Sequence, residues 1–136
     1  MKAKNIIWML CALLGQNIAQ AADRFDNPPP EVKEVIVRIN DAYVPSGFDS
    51  ESESYVVVNG LFPNSCYQWK DALVVHKNEK NLHDVRAMAV VKQGLCLMVL
   101  IPYTKEVKLG KLKSGDHMIR FENGDGTYFE KPLHID

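Results

Sequence analysis

Residues 55–66, YVVVNGLFPNSC, join a run that is apolar on both faces to a Pro-containing turn and a cysteine. Tyr55 to Val58 reads as a strand covered on both sides or lying centrally in a sheet, because a one-sided strand would alternate with polar residues. Asn59-Gly60 offers a turn with positive φ. Cys66 needs a partner, and finding one requires a decision about the N-terminus.

Residues 1–21 have the layout of a secretory signal peptide. Lys2 and Lys4 form a basic start, Ile6 to Leu14 an apolar core, and Ala19-Gln20-Ala21 a small-x-small cleavage site, with cutting expected before Ala22. The apolar core falls well short of the roughly 20 residues a membrane-spanning helix needs. Lipidation at Cys11 is disfavoured by Trp8-Met9-Leu10, which lacks the small residues of a lipoprotein signal. The protein is therefore expected to be exported, to the periplasm or outside the cell, with no stable membrane insertion after cleavage.

Cleavage removes two of the 16 basic residues and none of the 17 acidic ones, which leaves a mildly acidic chain without a basic block. Nucleic acid and anionic membrane are poor partners for it. Cys66 and Cys96 remain as an even pair, which in an oxidising compartment reads as one structural disulfide. A redox or metal role is disfavoured, since no Cys-x-x-Cys spacing or flanking basic residue lowers a thiol pKa.

Outward from the opening stretch the chain punctuates itself into short segments. Residues 22–31, with Pro28 to Pro30, form an extended linker ahead of a single domain over residues 32–136. Val35, Val37 and Ile39 alternate with Glu34, Arg38 and Asn40 as a half-buried strand. Asp41 to Ser54 is a long loop in which Tyr43, Val44 and Phe48 are expected to fold back onto the core. Tyr67, Trp69, Ala72, Val74 and Val75 mark another strand, closed by a polar hairpin at Lys77 to Asn81. Residues 82–92 fit a capped helix or a strand, and the β-rich surroundings favour strand.

LCLMVLI, Leu95 to Ile101, is continuously apolar and stops at Pro102, so it reads as a strand buried on both faces. Val107, Leu109 and Leu112 follow, then Met118 and Ile119. NGDGT, Asn123 to Thr127, makes a tight hairpin, and Tyr128 to Ile135 is the last strand. Seven or eight short strands with regular turns mean an all-β antiparallel sandwich or barrel.

LGKLKSGDHMIRF, from Leu109, resembles the corner before the penultimate strand of immunoglobulin-like sandwiches, with His117 in the slot usually held by tyrosine. The antibody-type cysteine is absent, because position 119 is Ile. Together with VPSGFD at Val44 to Asp49, NGLFPNSCY at Asn59 to Tyr67 and GLCLMVLIPY at Gly94 to Tyr103, this corner is similar to a group of secreted bacterial proteins, uncharacterised as to activity, with one immunoglobulin-like β-sandwich. The resemblance covers most of residues 35–122 and implies architecture and cysteine placement, but no activity.

The constellations that bear chemistry are sparse. His76, His83, His117 and His134 with Met88, Met98 and Met118 are residue types that suit copper or zinc. No two of the histidines stand at a spacing of two or four, so solvated or capping roles are expected and no metal or cofactor site is assigned. NGDGT is not a calcium loop, since Phe121 and Pro132 would occupy ligand positions. Asp49, Glu51 and Glu53 with three serines read as a solvated loop, with weak calcium binding or partner recognition as the functional alternative. No nucleophile with a base, phosphate cradle or paired acids stands out, so no catalytic activity is expected.

The function expected from sequence is a non-catalytic interaction module of the cell envelope or secreted space. Its partner is an unknown protein, met by the loop bearing Tyr43, Pro45, Phe48, Asp49, Glu51 and Glu53. The alternatives are an inhibitor of a secreted hydrolase and a His/Met metal-binding carrier.

Overall fold

The computed structural model describes residues 31–136, so the expected signal peptide and nearly all of the linker lie outside the described residues. Alternation of apolar and polar side chains sets up eight strands. They are β1 (Val32–Val37), β2 (Asp41–Tyr43), β3 (Ser54–Phe62), β4 (Tyr67–Lys77), β5 (Leu82–Lys92), β6 (Ile101–Gly110), β7 (Gly115–Glu122) and β8 (Tyr128–Ile135). No α-helix occurs among the described residues, and residues 82–92 are strand.

Two sheets result. The smaller has the order β2-β3-β6, with β3 in the centre, as its two-sided apolar pattern requires. The larger is organised around β5. Leu82 to Val91 pair with β4 on one edge, while its other edge is shared, with β1 along Ala87 to Lys92 and β7 along Leu82 to Arg86. β8 completes the sheet beyond β7.

The β5–β7 pair is parallel, whereas the sequence pattern led to a purely antiparallel sandwich. Connectivity is the cause. The chain leaves β5, crosses to the other sheet for β6 and crosses back for β7, so two reversals return β7 to the direction of β5. The inner faces meet in a core of Val37, Ile39, Val56, Val58, Val85, Ala87, Ala89, Val107, Leu109, Ile119, Phe121, Leu133 and Ile135, all buried.

Several local expectations are overturned. Asn59-Gly60 is not a turn but lies inside β3. Gly60 is needed there for close approach, because a Cβ would sit 2.4 Å from the Tyr103 hydroxyl. Tyr103 lies across the glycine, stacks on Phe62 at 4.7 Å between ring centroids and donates its hydroxyl to the Arg38 carbonyl at 2.6 Å. Burial pushes its phenol up to about 12. Pro102, taken from sequence as a strand terminator, is the second residue of β6. It is tolerated because β6 is an edge strand paired only with β3.

The largest departure is at Leu95 to Ile101. Only Ile101 belongs to a strand, and residues 93–100 form an exposed loop. These residues carry the chain from the larger sheet to the smaller across the end of the sandwich, a gap of about 10 Å between packed sheets. A crossing segment cannot pair within either sheet. Local bonds fix it instead: Leu97 donates its amide to Ser65 Oγ at 2.7 Å and accepts from the Ser65 amide at 3.0 Å. The Cys66–Cys96 disulfide closes the same corner, with Cα atoms 5.3 Å apart.

Candidate functional site

The two ends of the sandwich differ in chemistry. At the end where β3 and β5 finish and β1 begins, the crossing loop presents Leu95, Leu97, Met98, Val99 and Leu100. Their exposures run from 54% to 105%, and Leu61, also exposed, lies on β3 nearby in the chain path. Folding removes apolar surface from water, so five large apolar residues left on one short loop are a cost that the fold alone does not explain. The disulfide and the Ser65 bonds hold this loop to the scaffold, which lowers the entropy it would lose on being covered.

The loop predicted to meet a partner is more constrained. Tyr43 lies on β2 and points outward, two-thirds exposed, instead of folding back. Val44 and Phe48 do pack against the core, Pro45 is half-buried, and Phe48 makes an edge contact with Tyr55 at 5.4 Å. Phe48 also bridges to Ile135 and accepts the Asp136 amide, which pins the loop to β8. Asp49 turns inward on its own segment, accepting from Ser52 Oγ at 2.8 Å and the Glu51 amide at 3.0 Å. The Ser52 hydroxyl, followed by the Glu51 amide, holds its carboxyl below the usual range. Glu51 and Glu53 are exposed, and the three acids do not converge on a common point among the described residues.

At the opposite end three histidines meet. Sequence spacing hid this because a hairpin at Lys77 to Asn81 would set His76 opposite Leu82. The turn is instead one residue shorter, with Lys77 opposite Leu82 and His76 opposite His83. A one-residue change of register moves every side chain to the other face. His83 faces inward in line with Val85 and Ala87 and is fully buried, while His117 enters from β7 and is also buried.

The contacts run in a line. His76 Nδ1 is 2.7 Å from His83 Nδ1, His83 Nε2 is 2.8 Å from His117 Nδ1, and His117 Nε2 is 2.7 Å from the Lys113 carbonyl. The last contact ties His117 back to the main chain four residues before it. It also orders the line, because a carbonyl can only accept, so His117 carries its proton on Nε2. With neutral rings, His117 Nδ1 then accepts from His83 Nε2–H, and His83 Nδ1 accepts from His76 Nδ1–H. Burial, then the neighbouring His76 and His117, bring the His83 pKa down to about 4, against a smaller opposing effect of Asp84.

His134 stands apart, exposed, with Nδ1 2.7 Å from Asp116 Oδ1, and this bond raises its pKa. Asn123 to Thr127 forms the expected hairpin, with the Asn123 amide donating to the Thr127 carbonyl at 3.0 Å. The methionines do not gather around the histidines: Met88 and Met118 are half-buried on their strands, and Met98 sits on the crossing loop at the other end.

Residues 56–131, more than half of the chain, match the family described as the ORF11 beta-sandwich domain. No curated protein and no solved structure matches.

Proposed function

The chain belongs to the ORF11 beta-sandwich domain family, and we propose that it is a non-catalytic, exported protein-interaction module, periplasmic or extracellular, of immunoglobulin-like type. One observation carries the proposal: the exposed Leu95, Leu97, Met98, Val99 and Leu100 on a loop fixed by a disulfide. Burying a large apolar side chain is worth about 1.5 to 3 kcal/mol, so five of them supply a gross gain of roughly 10 kcal/mol, comparable with the 4 to 15 kcal/mol that association costs. The contact surface is therefore this loop, with Tyr43 and the neighbouring Asp41 to Ser54 segment as a second and more polar area. The immunoglobulin-like reading is supported by the His117 to Lys113 corner bond and by the first strand's passage from one sheet (β1) to the other (β2).

The test is a photoreactive residue at position 98 of the full chain, expressed in its own cells. Crosslinks to a protein are expected, and they should vanish when Leu97 and Leu100 become Ser. Crosslinks unaffected by those substitutions, or their absence, would overturn the assignment of this loop. A stapled, protruding loop also suits an inhibitor of a secreted hydrolase. Inhibition across a protease and lysozyme panel that is lost in the same double variant would favour that reading.

A further inference from the structure

The line of histidines has no role in the contact surface, which lies at the other end of the sandwich. Buried histidine is costly unless its nitrogens are satisfied, and here every ring nitrogen except His76 Nε2 is. The arrangement matches the outer bonding that metal-ligating imidazoles require: a ligand nitrogen whose ring holds its other N–H to a fixed acceptor. His83 presents Nδ1 as a lone pair, donates Nε2–H to His117, and His117 in turn donates to a main-chain carbonyl that cannot donate back. The tautomer of His83 is thereby locked with Nδ1 free to bind. His76 faces it from the exposed end of β4, an edge strand, where the ring has room to move.

We infer that His76 Nδ1 and His83 Nδ1 form a two-imidazole site for a monovalent soft cation, copper(I). The number of donors selects the ion. Among the described residues no third histidine, cysteine, aspartate or glutamate converges with a pair to hold a metal. Zinc takes four ligands in structural sites and three protein ligands in catalytic ones, whereas copper(I) is stable between two nitrogens in line. The cleft beside His76 is lined by Lys77, Lys80 and Glu79, so it offers no surplus of negative charge to hold a hard divalent cation.

Binding needs a modest movement. An ion about 2 Å from each nitrogen sets them roughly 4 Å apart, so His76 swings outward by a little over ~1 Å from the 2.7 Å contact. Its ring proton passes from Nδ1 to the solvent-facing Nε2 through water. The ion takes the place of that proton between the rings, and no net proton is released.

The experiment is titration of the full chain with silver(I), a redox-silent substitute for copper(I), followed by imidazole 15N spectra. It is paired with copper(I) kept reduced by ascorbate and competed by a chromophoric chelator. One equivalent is expected to bind. The Nδ1 resonances of His76 and His83 should shift together while His83 Nε2 stays protonated. His76→Ala, at an exposed position, should weaken binding at least tenfold, and Met98→Leu should leave it unchanged. Absence of stoichiometric binding, equal binding by His76→Ala, loss of binding in Met98→Leu, or tighter binding of zinc(II) than of copper(I) would overturn the inference.

Discussion

Acid should weaken this fold well before its carboxylates protonate, and His83 is the reason. Its folded pKa of about 4 lies below the ordinary histidine value of 6.5, so between those two values the unfolded chain binds a proton that the folded chain refuses. The stabilisation is complete above 6.5 and is lost as pH falls toward 4. At about 1.4 kcal/mol per pH unit the loss is roughly 3 kcal/mol, a large part of a typical domain's 5 to 15.

The shifted His134 and aspartates act outside this window. The His134 pKa is raised, so its contribution is constant below 6.5 and declines only at higher pH. Hydrogen bonds from Lys131, Ser52 and Thr127 respectively hold Asp41, Asp49 and Asp125 below the ordinary 3.8, so their contributions begin to fall only near or below it. The assay is urea unfolding at half-unit steps from pH 7.5 to 4, with a metal chelator present throughout. With a urea slope of about 1.5 kcal/mol/M for a chain of this size, the midpoint should drop by roughly 2 M. A midpoint that stays level from pH 6.5 to 4.5 refutes the reasoning, and a His83→Gln variant that folds should lack the slope.

Three further outcomes follow from packing and chain entropy. Gly60→Ala places a methyl 2.4 Å from the Tyr103 hydroxyl, against a ring held by Phe62 and Arg38. It should cost about 1 to 3 kcal/mol by denaturant unfolding, and less than that where Tyr103→Ala has already removed the ring. Replacing Cys66 and Cys96 by Ser opens a loop spanning a separation of 30 residues and should lower stability by about 3 to 4 kcal/mol; a calorimetric change under 1 kcal/mol would contradict the staple's role. Exchanging Leu97, Met98 and Leu100 for Ser should leave the urea midpoint within the equivalent of about 0.5 kcal/mol while reducing binding of an apolar dye, because those side chains contribute to the surface and not to the core.

The strands were legible wherever one face met water and the other the core. Val35, Val37 and Ile39, and Ile119 with its neighbours, announce themselves by alternation, and Cys66 with Cys96 by number alone. Leu95 to Leu100 misled because continuous apolarity has the same appearance in a doubly covered strand and in an exposed loop that crosses between sheets. Only the completed sheets show that no place remained for it inside. Asn59-Gly60 misled for a related reason: glycine serves both positive φ and close approach, and the decisive atom, the Tyr103 ring, is more than 40 residues away. The histidines were hidden by a single residue of hairpin register.

The eleven residues of β5 also act as a measured spacer. At roughly 3.3 Å per residue they separate His83, next to its first residue, from the crossing loop at its last by about 30 Å, several times the ~8 Å over which charge is felt in physiological salt. A cation seated on the histidines would therefore be electrostatically silent at the apolar loop, and a partner on the loop would leave the exposed His76 uncovered. With the proposed partner at one end and the proposed ion at the other, the two binding events would be independent unless the strand itself transmits strain.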